Sequence, residues 1–371
     1  MSNSAHPHEG GEKAPPGLDV GVCTEKDRAD QVALFQASFG GDGAAPVLRW
    51  RYDQCPHGRP VTLLGKAQGE AVTGYACNPR LIGWQDGGVT IGQTGDVMTL
   101  IAARGKGYFS ALDRKAMQAT ADVGWPVVFG LPNRLSAPLF LEKLGWTGVG
   151  RLRPWTLVCQ ADAAARAERL RAGRLAAWLT GWARFQGQRK LGALKQLTDG
   201  FTTEPIERFE DWVEGPAREV SSRYPWMVRR DADYLNWRFF EGPNGRFSAY
   251  KIVGPHGEPA GFVVVQAPLA DSSLGYLVDL VAPDPGAHAA GILCAVDNLK
   301  QGGASVVRAH AIEGSDWQTQ LVAAGFQAPK PEDEKWVIAY VHQSDHPLAK
   351  IAMDAKRWFF TDADRDDELV R

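Results

Sequence analysis

The feature that most constrains this chain is a short pattern that occurs twice. Residues 48–52 read Leu-Arg-Trp-Arg-Tyr and residues 235–239 read Leu-Asn-Trp-Arg-Phe, with the two tryptophans 187 positions apart. The same offset relates Gly74 to Gly261, each followed by an aromatic residue. A constant offset over roughly 25 residues indicates duplication of one structural unit. The 371 residues are enough for two such units.

Hydrophobic periodicity predicts a similar order of strands and helices in the two halves. The first half has predicted strands at 61–66, 71–77, 88–101, 126–130 and 147–159, with helices at 107–123 and 137–144. The second half has predicted strands at 246–253, 259–266, 275–282, 304–310 and 335–342, with helices at 287–300 and 315–323. We therefore expect an α/β (α+β) fold in which mixed, mostly antiparallel sheets are flanked by helices.

Composition divides the chain into five predicted segments. They are a polar leader (1–17), a first domain (18–160), a basic helical linker (161–200), a degenerate second domain (201–345) and a C-terminal helix with an acidic tail (346–371). The first domain ends with strands 147–159, which we expect to close its own sheet. The acidic run from Asp362 to Glu368 is expected to be solvated.

The linker combines positive charge with aromatic residues. Its basic side chains fall between 166 and 195, and Trp178 and Trp182 lie on one apolar face of the predicted helix. Such a helix suits an anionic membrane surface, which predicts peripheral membrane contact through 166–195. The alternative is that the tryptophan face packs on the two domains while the arginines are solvated.

The overall composition excludes several classes of protein. Lys and Arg number 41 against 43 Asp and Glu, so no nucleic-acid partner is expected. The five cysteines include no C-x-x-C pair, which predicts neither a disulfide framework nor a metal site. No stretch is long and apolar enough to span a membrane, and we expect a cytoplasmic protein.

The strongest local signal follows the strand predicted at 88–101. Arg104-Gly105-Lys106-Gly107 connects this strand to an amphipathic helix that starts near Tyr108. Glycines allow a tight turn with exposed N–H groups, and a helix N-terminus favours negative charge. Together they predict a cradle for a pyrophosphate.

This loop resembles the acyl-CoA signature of the GNAT family, in which Arg or Gln is followed three residues later by Gly. Phe109 departs from the family pattern, which has a small residue there, so the acyl channel is expected to be altered. Downstream, Gly130-Leu-Pro-Asn133 and Leu144-Gly-Trp146 also fit. The combination resembles bacterial tandem-GNAT proteins linked to cell-surface polysaccharide or lipid assembly, and N-acyltransferases of similar plan include the bacterial ceramide synthases.

The resemblance implies an acyl-CoA donor and direct attack of an amine on the thioester. Residues Val97, Met98, Thr99 and Leu100 would hold the pantetheine arm, and residues Arg104, Gly105, Lys106, Gly107, Tyr108 and Phe109 the pyrophosphate. A base must remove a proton from the amine.

Four side chains are candidates for catalysis. Asp96 starts the strand where a GNAT base often stands, although it could instead be a buried anchor. Asn133 and Ser136 follow the next strand, and Ser136 could simply cap the helix at 137. His310, in the second half, is a candidate base from across the cleft.

The second half lacks the cradle, because Pro283-Asp-Pro-Gly286 replaces it, and we expect no CoA there. Arg51 and Arg238, in the duplicated pattern, are expected to form structural ion pairs or to contact the acceptor.

The leading functional hypothesis is transfer of an acyl chain to an amphiphilic amine of the sphingoid type. An amino-sugar acceptor in polysaccharide synthesis is the alternative, and it would require a second phosphate site. Two further classes stay open, an aminoacyl-tRNA-dependent transferase and a non-catalytic regulator that binds acyl-CoA.

Overall fold

The structure is a computed structural model. It describes residues 15–40, 44–84, 87–159, 185–243, 246–269, 272–328 and 334–365. Most of the basic linker, including Trp178 and Trp182, lies outside the described residues. Residues 185–194 are helical, and Phe185 is exposed.

The first half closely follows the predicted order of elements. Its strands are β1 (Leu18–Val22), β2 (Val61–Ala67), β3 (Glu70–Ile82), β4 (Val89–Thr99), β5 (Val127–Gly130) and β6 (Thr147–Val158), and its helices are α1 (Arg28–Phe39), α2 (Ala44–Asp53), α3 (Tyr108–Asp122) and α4 (Ala137–Lys143).

The second half repeats this plan with additions. Its strands are β7 (Thr202–Ile206), β8 (Trp226–Met227), β9 (Phe247–Val253), β10 (Pro259–Gln266), β11 (Leu274–Val281), β12 (Val306–Ile312), β13 (Lys335–Val341) and β14 (Trp358–Phe359), and its helices are α5 (Glu214–Arg223), α6 (Ala232–Phe239), α7 (Pro285–Gln301), α8 (Asp316–Ala323) and α9 (Pro347–Ala352).

Both halves contribute to one 12-stranded sheet. Its order is β1-β2-β3-β4-β5-β13-β6-β12-β11-β10-β9-β7, and β8 and β14 form a separate pair. Among the described strands of the large sheet, only β4–β5 and β11–β12 are parallel neighbours. The predicted mixed, mostly antiparallel arrangement is confirmed.

The last strand of each half crosses into the other half. β13 pairs with β5 of the first half, and β6 pairs with β12 of the second half. The prediction that strands 147–159 close the first sheet by themselves is therefore wrong. Each half is completed by a strand of its partner, so the core is continuous across the junction.

The duplicated tryptophans meet at this junction. The indole rings of Trp50 and Trp237 stack with centroids 4.6 Å apart. Trp50 Nε1 donates to Trp237 O at 2.8 Å, and Trp237 Nε1 donates to Trp50 O at 3.0 Å. This reciprocal contact is what a two-fold axis between duplicated units produces, and it supports duplication as the origin of the repeat.

Helices cover both faces of the first-half sheet. Alternate residues of β2 and β3 point to opposite faces. Leu63 and Tyr75 pack with α3, while Leu64 and Ala76 pack with α1 and α2. The face covered by α1 and α2 is called the α2 face below.

Candidate active site

A gap in the sheet opens beside β4. This strand pairs with β5 only over Gly92–Thr94, opposite Val128–Gly130. Just beyond, its register with β3 shifts at a β-bulge, where Asp96 adopts φ +47°. The bulge bends β4 away from β5, so residues 95–99 line a gap between two parallel strands.

The main chain of β4 presents hydrogen-bonding groups to this gap. Leu100 N bonds to Val72 O, so in the antiparallel ladder the adjacent residue Thr99 points its main-chain groups away from β3. Thr99 O instead accepts from Arg104 Nε at 3.3 Å. An extended ligand in the gap could therefore bond to this strand.

The gap leads to the loop predicted as a phosphate cradle. Gly105 and Gly107 have φ +78° and +77°, which only glycine adopts readily. The first bond of α3 runs from Ala111 N to Gly107 O, and no side chain caps the helix N-terminus. Arg104 and Lys106 are exposed beside it. Free N–H groups, helix dipole and two cations together form an anion-binding geometry.

Asp96 is held by two side chains of α2. Its carboxylate forms an ion pair with Arg51 and accepts from Tyr52 Oη at 2.8 Å. Burial, followed by the charge of Asp96, raises the pKa of Tyr52 well above its usual value, so Tyr52 remains a neutral donor. The prediction of an ion pair for Arg51 is confirmed. A carboxylate has about four acceptor positions, and these two contacts occupy two of them.

Asn133 and Ser136 lie at the same end of the sheet as the cradle, because β4 and β5 are parallel. Asn133 Oδ1 accepts from the backbone N–H of Leu135 and of Ser136, both at 3.0 Å. The Ser136 hydroxyl makes no cap bond to α4. The prediction that Ser136 caps this helix is therefore wrong, since Asn133 organises the turn.

Two residues predicted to contact the donor have side chains packed in the core instead. Phe109 stands between Tyr75 and Phe140, with ring centroids 6.5 and 5.2 Å away. Tyr108 is buried. Their side chains are therefore committed to the α3 core, and only their main-chain N–H groups remain for a phosphate. The position of Phe109 gives no support for an altered acyl channel.

His310 lies far from the gap beside β4. Four strand spacings separate β12 from β4 in the sheet order, which is about 19 Å. Its Nδ1 is 2.7 Å from Asp362 Oδ1, and its backbone N–H donates to Asp362 Oδ2. Burial alone would raise the pKa of Asp362, but His310 and Arg365 lower it below its usual range. These contacts do not support a role for His310 as the base of the first half.

The second half has a corresponding gap, and the chain itself fills it. β11 pairs with β12 only over Leu274–Tyr276. Beyond this point Thr361 donates at 2.8 Å to Asp279, which lies in β11, the strand that corresponds to β4. Asp279 and Asp364 both form ion pairs with fully buried Arg230. The expectation that the acidic run is solvated is wrong for Asp362 and Asp364, which are 1% exposed.

The N-terminus of α7 is also blocked. The carboxylate of Asp284 accepts from Gly286 N at 2.7 Å and from Ala287 N at 3.2 Å. A side-chain anion therefore occupies the place that a phosphate would take. This cap and the filled gap support the prediction that the second half does not bind CoA.

Comparison with known proteins agrees with this geometry. Residues 20–149 match the family model described as an acetyltransferase (GNAT) domain. No curated protein matches the chain in sequence.

Solved structures are similar over most of the chain. A GCN5-related N-acetyltransferase from Kribbella flavida is 14% identical, with TM-score 0.59, over 88% of this chain and 71% of its own. One from Anabaena variabilis is 12% identical, with TM-score 0.60, over 87% and 72%. A tandem GNAT protein from the clavulanic acid biosynthesis pathway is 12% identical, with TM-score 0.52, over 87% and 98%. At these identities the likeness is one of fold, and the tandem GNAT fold expected from the sequence is confirmed.

Proposed function

We propose that the protein is an acyl-CoA-dependent N-acyltransferase whose first half binds the donor. The observation that carries this proposal is the continuous path from the gap beside β4 to the uncapped N-terminus of α3. The pantetheine arm would lie along Val97–Leu100, and the pyrophosphate would lie on residues 104–109.

The chemistry requires few protein groups. The amine nitrogen attacks the thioester carbonyl, the new C–N bond forms, and the C–S bond breaks to release the CoA thiol. A main-chain N–H of β4 would hold the developing oxyanion. Asp96, at the start of the gap, would hold the ammonium form of the acceptor and receive its proton directly or through water. Holding both reactants in one cleft supplies much of the rate.

The acceptor that we propose is an amphiphile, namely a long-chain amine of the sphingoid type. Two apolar side chains at the mouth of the gap support it, Ile101 at 81% exposed and Leu135 at 87% exposed. Such residues suit contact with an acyl chain or a membrane surface. The basic linker would add peripheral membrane contact, and no described helix is long and apolar enough to cross a bilayer. An amino sugar is the alternative acceptor.

A thermal-shift series with CoA, acetyl-CoA and palmitoyl-CoA tests the proposal, because a ligand of the folded state raises Tm. The double variant R104A/K106A should reduce the shift, while a control that removes two exposed lysines elsewhere, K26A/K350A, should not. A larger shift with palmitoyl-CoA than with acetyl-CoA supports a long-chain donor. Equal shifts favour a short donor and the amino-sugar acceptor.

Two outcomes would redirect the proposal to another class. Absence of any shift would contradict CoA as donor and favour a carrier-protein or aminoacyl-tRNA donor. A shift without release of CoA thiol in the presence of any amine would favour a non-catalytic regulator.

A further inference from the structure

Unpaired polar side chains are buried on the α2 face, next to the gap. Asn78 and Gln93 stand opposite each other in the β3–β4 ladder, and Arg80 follows two residues after Asn78. All three are at least 95% buried. Both amide atoms of Asn78, Oε1 of Gln93 and Nε of Arg80 find no hydrogen-bond partner in the described part of the chain. Native proteins rarely leave such groups unsatisfied.

Two more unpaired groups lie near Arg80, on His57 and Tyr234. The rings of His57 and Tyr234 stack with centroids 4.2 Å apart. His57 Nδ1 accepts from Leu81 N at 3.1 Å, and burial followed by the charge of Arg80 lowers the pKa of His57 well below its usual value. The neutral ring therefore carries its proton on Nε2, which becomes a donor. Within the described residues neither His57 Nε2 nor Tyr234 Oη has a partner.

The charge around these groups is not balanced. Four buried arginines, Arg51, Arg80, Arg230 and Arg238, lie near two buried carboxylates, Asp279 and Asp364, and one that is partly buried, Asp96. Arg51 and Arg230 form ion pairs. By contrast, the bonds of Arg80 and Arg238 go to main-chain carbonyls, those of Pro79, Ala363 and Arg365.

An unpaired buried cation is costly. Burial lowers the pKa of Arg238; Tyr234 opposes this effect, and Arg80 and Arg51 add to it. The guanidinium groups are therefore close enough to repel one another. A bound anion would relieve this repulsion.

We propose that His57, Asn78, Arg80, Gln93, Tyr234 and Arg238 form a binding site for an anionic group of the acceptor, a carboxylate or a phosphate. The inference rests on the proposed function, because it places the amine of the same molecule at Asp96. Arg80 Nε, His57 Nε2, Asn78 Nδ2 and Tyr234 Oη can donate to anionic oxygens, and the guanidinium of Arg80 has the planar geometry for such a group. Asn78 Oδ1 and Gln93 Oε1 can accept from a hydroxyl or amide of the ligand.

The spacing limits the acceptor further. Gln93 precedes Asp96 by three residues on β4, a separation of about 10 Å. An acceptor that reaches both would carry its amine and its acid group several bonds apart. Among the amphiphilic amines proposed above, the site favours those that also carry a carboxylate or a phosphate.

Binding of matched pairs of amines tests the site. The pairs are 6-aminohexanoate against hexylamine and 6-aminohexyl phosphate against 6-aminohexan-1-ol, titrated by calorimetry into protein saturated with CoA. Saturation with CoA prevents phosphate from binding at residues 104–109. We expect an acid in at least one pair to bind at least about tenfold more tightly than its neutral partner. In R80M this preference should fall at least about fivefold.

The controls separate this inference from the proposed function. R151M removes an arginine on β6 that pairs with Glu334, and it should keep the preference. Y234F removes a single hydroxyl, and it replaces R80M as the test variant if R80M does not fold. If no acid binds better than its neutral partner, or if R80M and Y234F keep the full preference, the anion site is refuted. The thermal shift with CoA is measured separately, so it tests the proposed function independently of the result for the anion site.

Discussion

Asp113 should make the stability of this protein depend on pH near neutrality. It lies on α3 in the core and is 1% exposed. Its Oδ1 accepts from Tyr75 Oη at 2.7 Å and from Trp146 Nε1 at 3.2 Å. Burial raises the pKa of Asp113 from 3.8 to about 7, and the bonds from Tyr75 and Trp146 offset only part of this effect.

The sign follows from the raised pKa. The folded state binds a proton at Asp113 more tightly than the unfolded chain, so the cost of the buried charge is complete above pH 7. This cost is relieved as the pH falls from 7 towards 3.8. At 1.36 kcal/mol for each pH unit, the whole effect is about 4 kcal/mol, and about 2 kcal/mol of it falls between pH 8 and pH 5.5.

The variant Asp113→Asn isolates this effect, because its Oδ1 can still accept from Tyr75 and Trp146. Urea unfolding at pH 5.5 and at pH 8 gives the free energy of unfolding for each protein. When the pH is lowered from 8 to 5.5, the free energy of unfolding of the wild type should rise by about 2 kcal/mol relative to that of the variant. Asp122→Asn, an exposed change on the same helix, should leave the pH dependence unaltered. A constant difference between wild type and D113N would refute the raised pKa.

Three further predictions concern the gap and the junction. Asp96→Asn should lower kcat/KM by about 100-fold while the CoA thermal shift persists; activity within threefold of wild type would make Asp96 an anchor only. Trp50→Ala should lower the free energy of unfolding by about 3–5 kcal/mol, because it removes the stack with Trp237 and the bond from Trp50 Nε1 to Trp237 O; a loss under about 1 kcal/mol in urea unfolding would argue against the junction as a shared core. Asp364→Asn should cost about 3–5 kcal/mol by leaving Arg230 short of a buried partner, and an unchanged Tm would show that the segment 361–365 is not held by this ion pair.

Local patterns were sufficient to predict most strands and helices. β4 was expected at 88–101 and lies at 89–99, and α3 was expected at 107–123 and lies at 108–122. Each has the apolar period of its element. α2 and α6 were not assigned, because their buried faces include Arg51 and Arg238, which interrupt the apolar stripe.

Partners distant in sequence were not predictable in the same way. The alternation of apolar and polar residues in β6 does not show whether this strand pairs within the first half or with β12. Either pairing buries the same faces of the strand. The cradle at residues 104–107 was found because all of its parts are consecutive. The burial of Asp364 was not predictable, because its partner Arg230 is 134 positions away. An acidic run near a chain end is also normally expected to be exposed to solvent.

The segment that fills the gap of the second half also contacts residues beside the gap of the first half. Asp364 O accepts from Gln93 Nε2 at 2.7 Å, and Arg238 donates to the carbonyls of Ala363 and Arg365. The segment that fills the second gap therefore also forms part of the wall beside the first. A ligand bound in the gap of the second half would displace this segment, and Gln93 and Arg238 would lose their hydrogen bonds to its carbonyl groups. The segment 361–365 therefore both fills the gap of the second half and contacts two residues of the anion site proposed above.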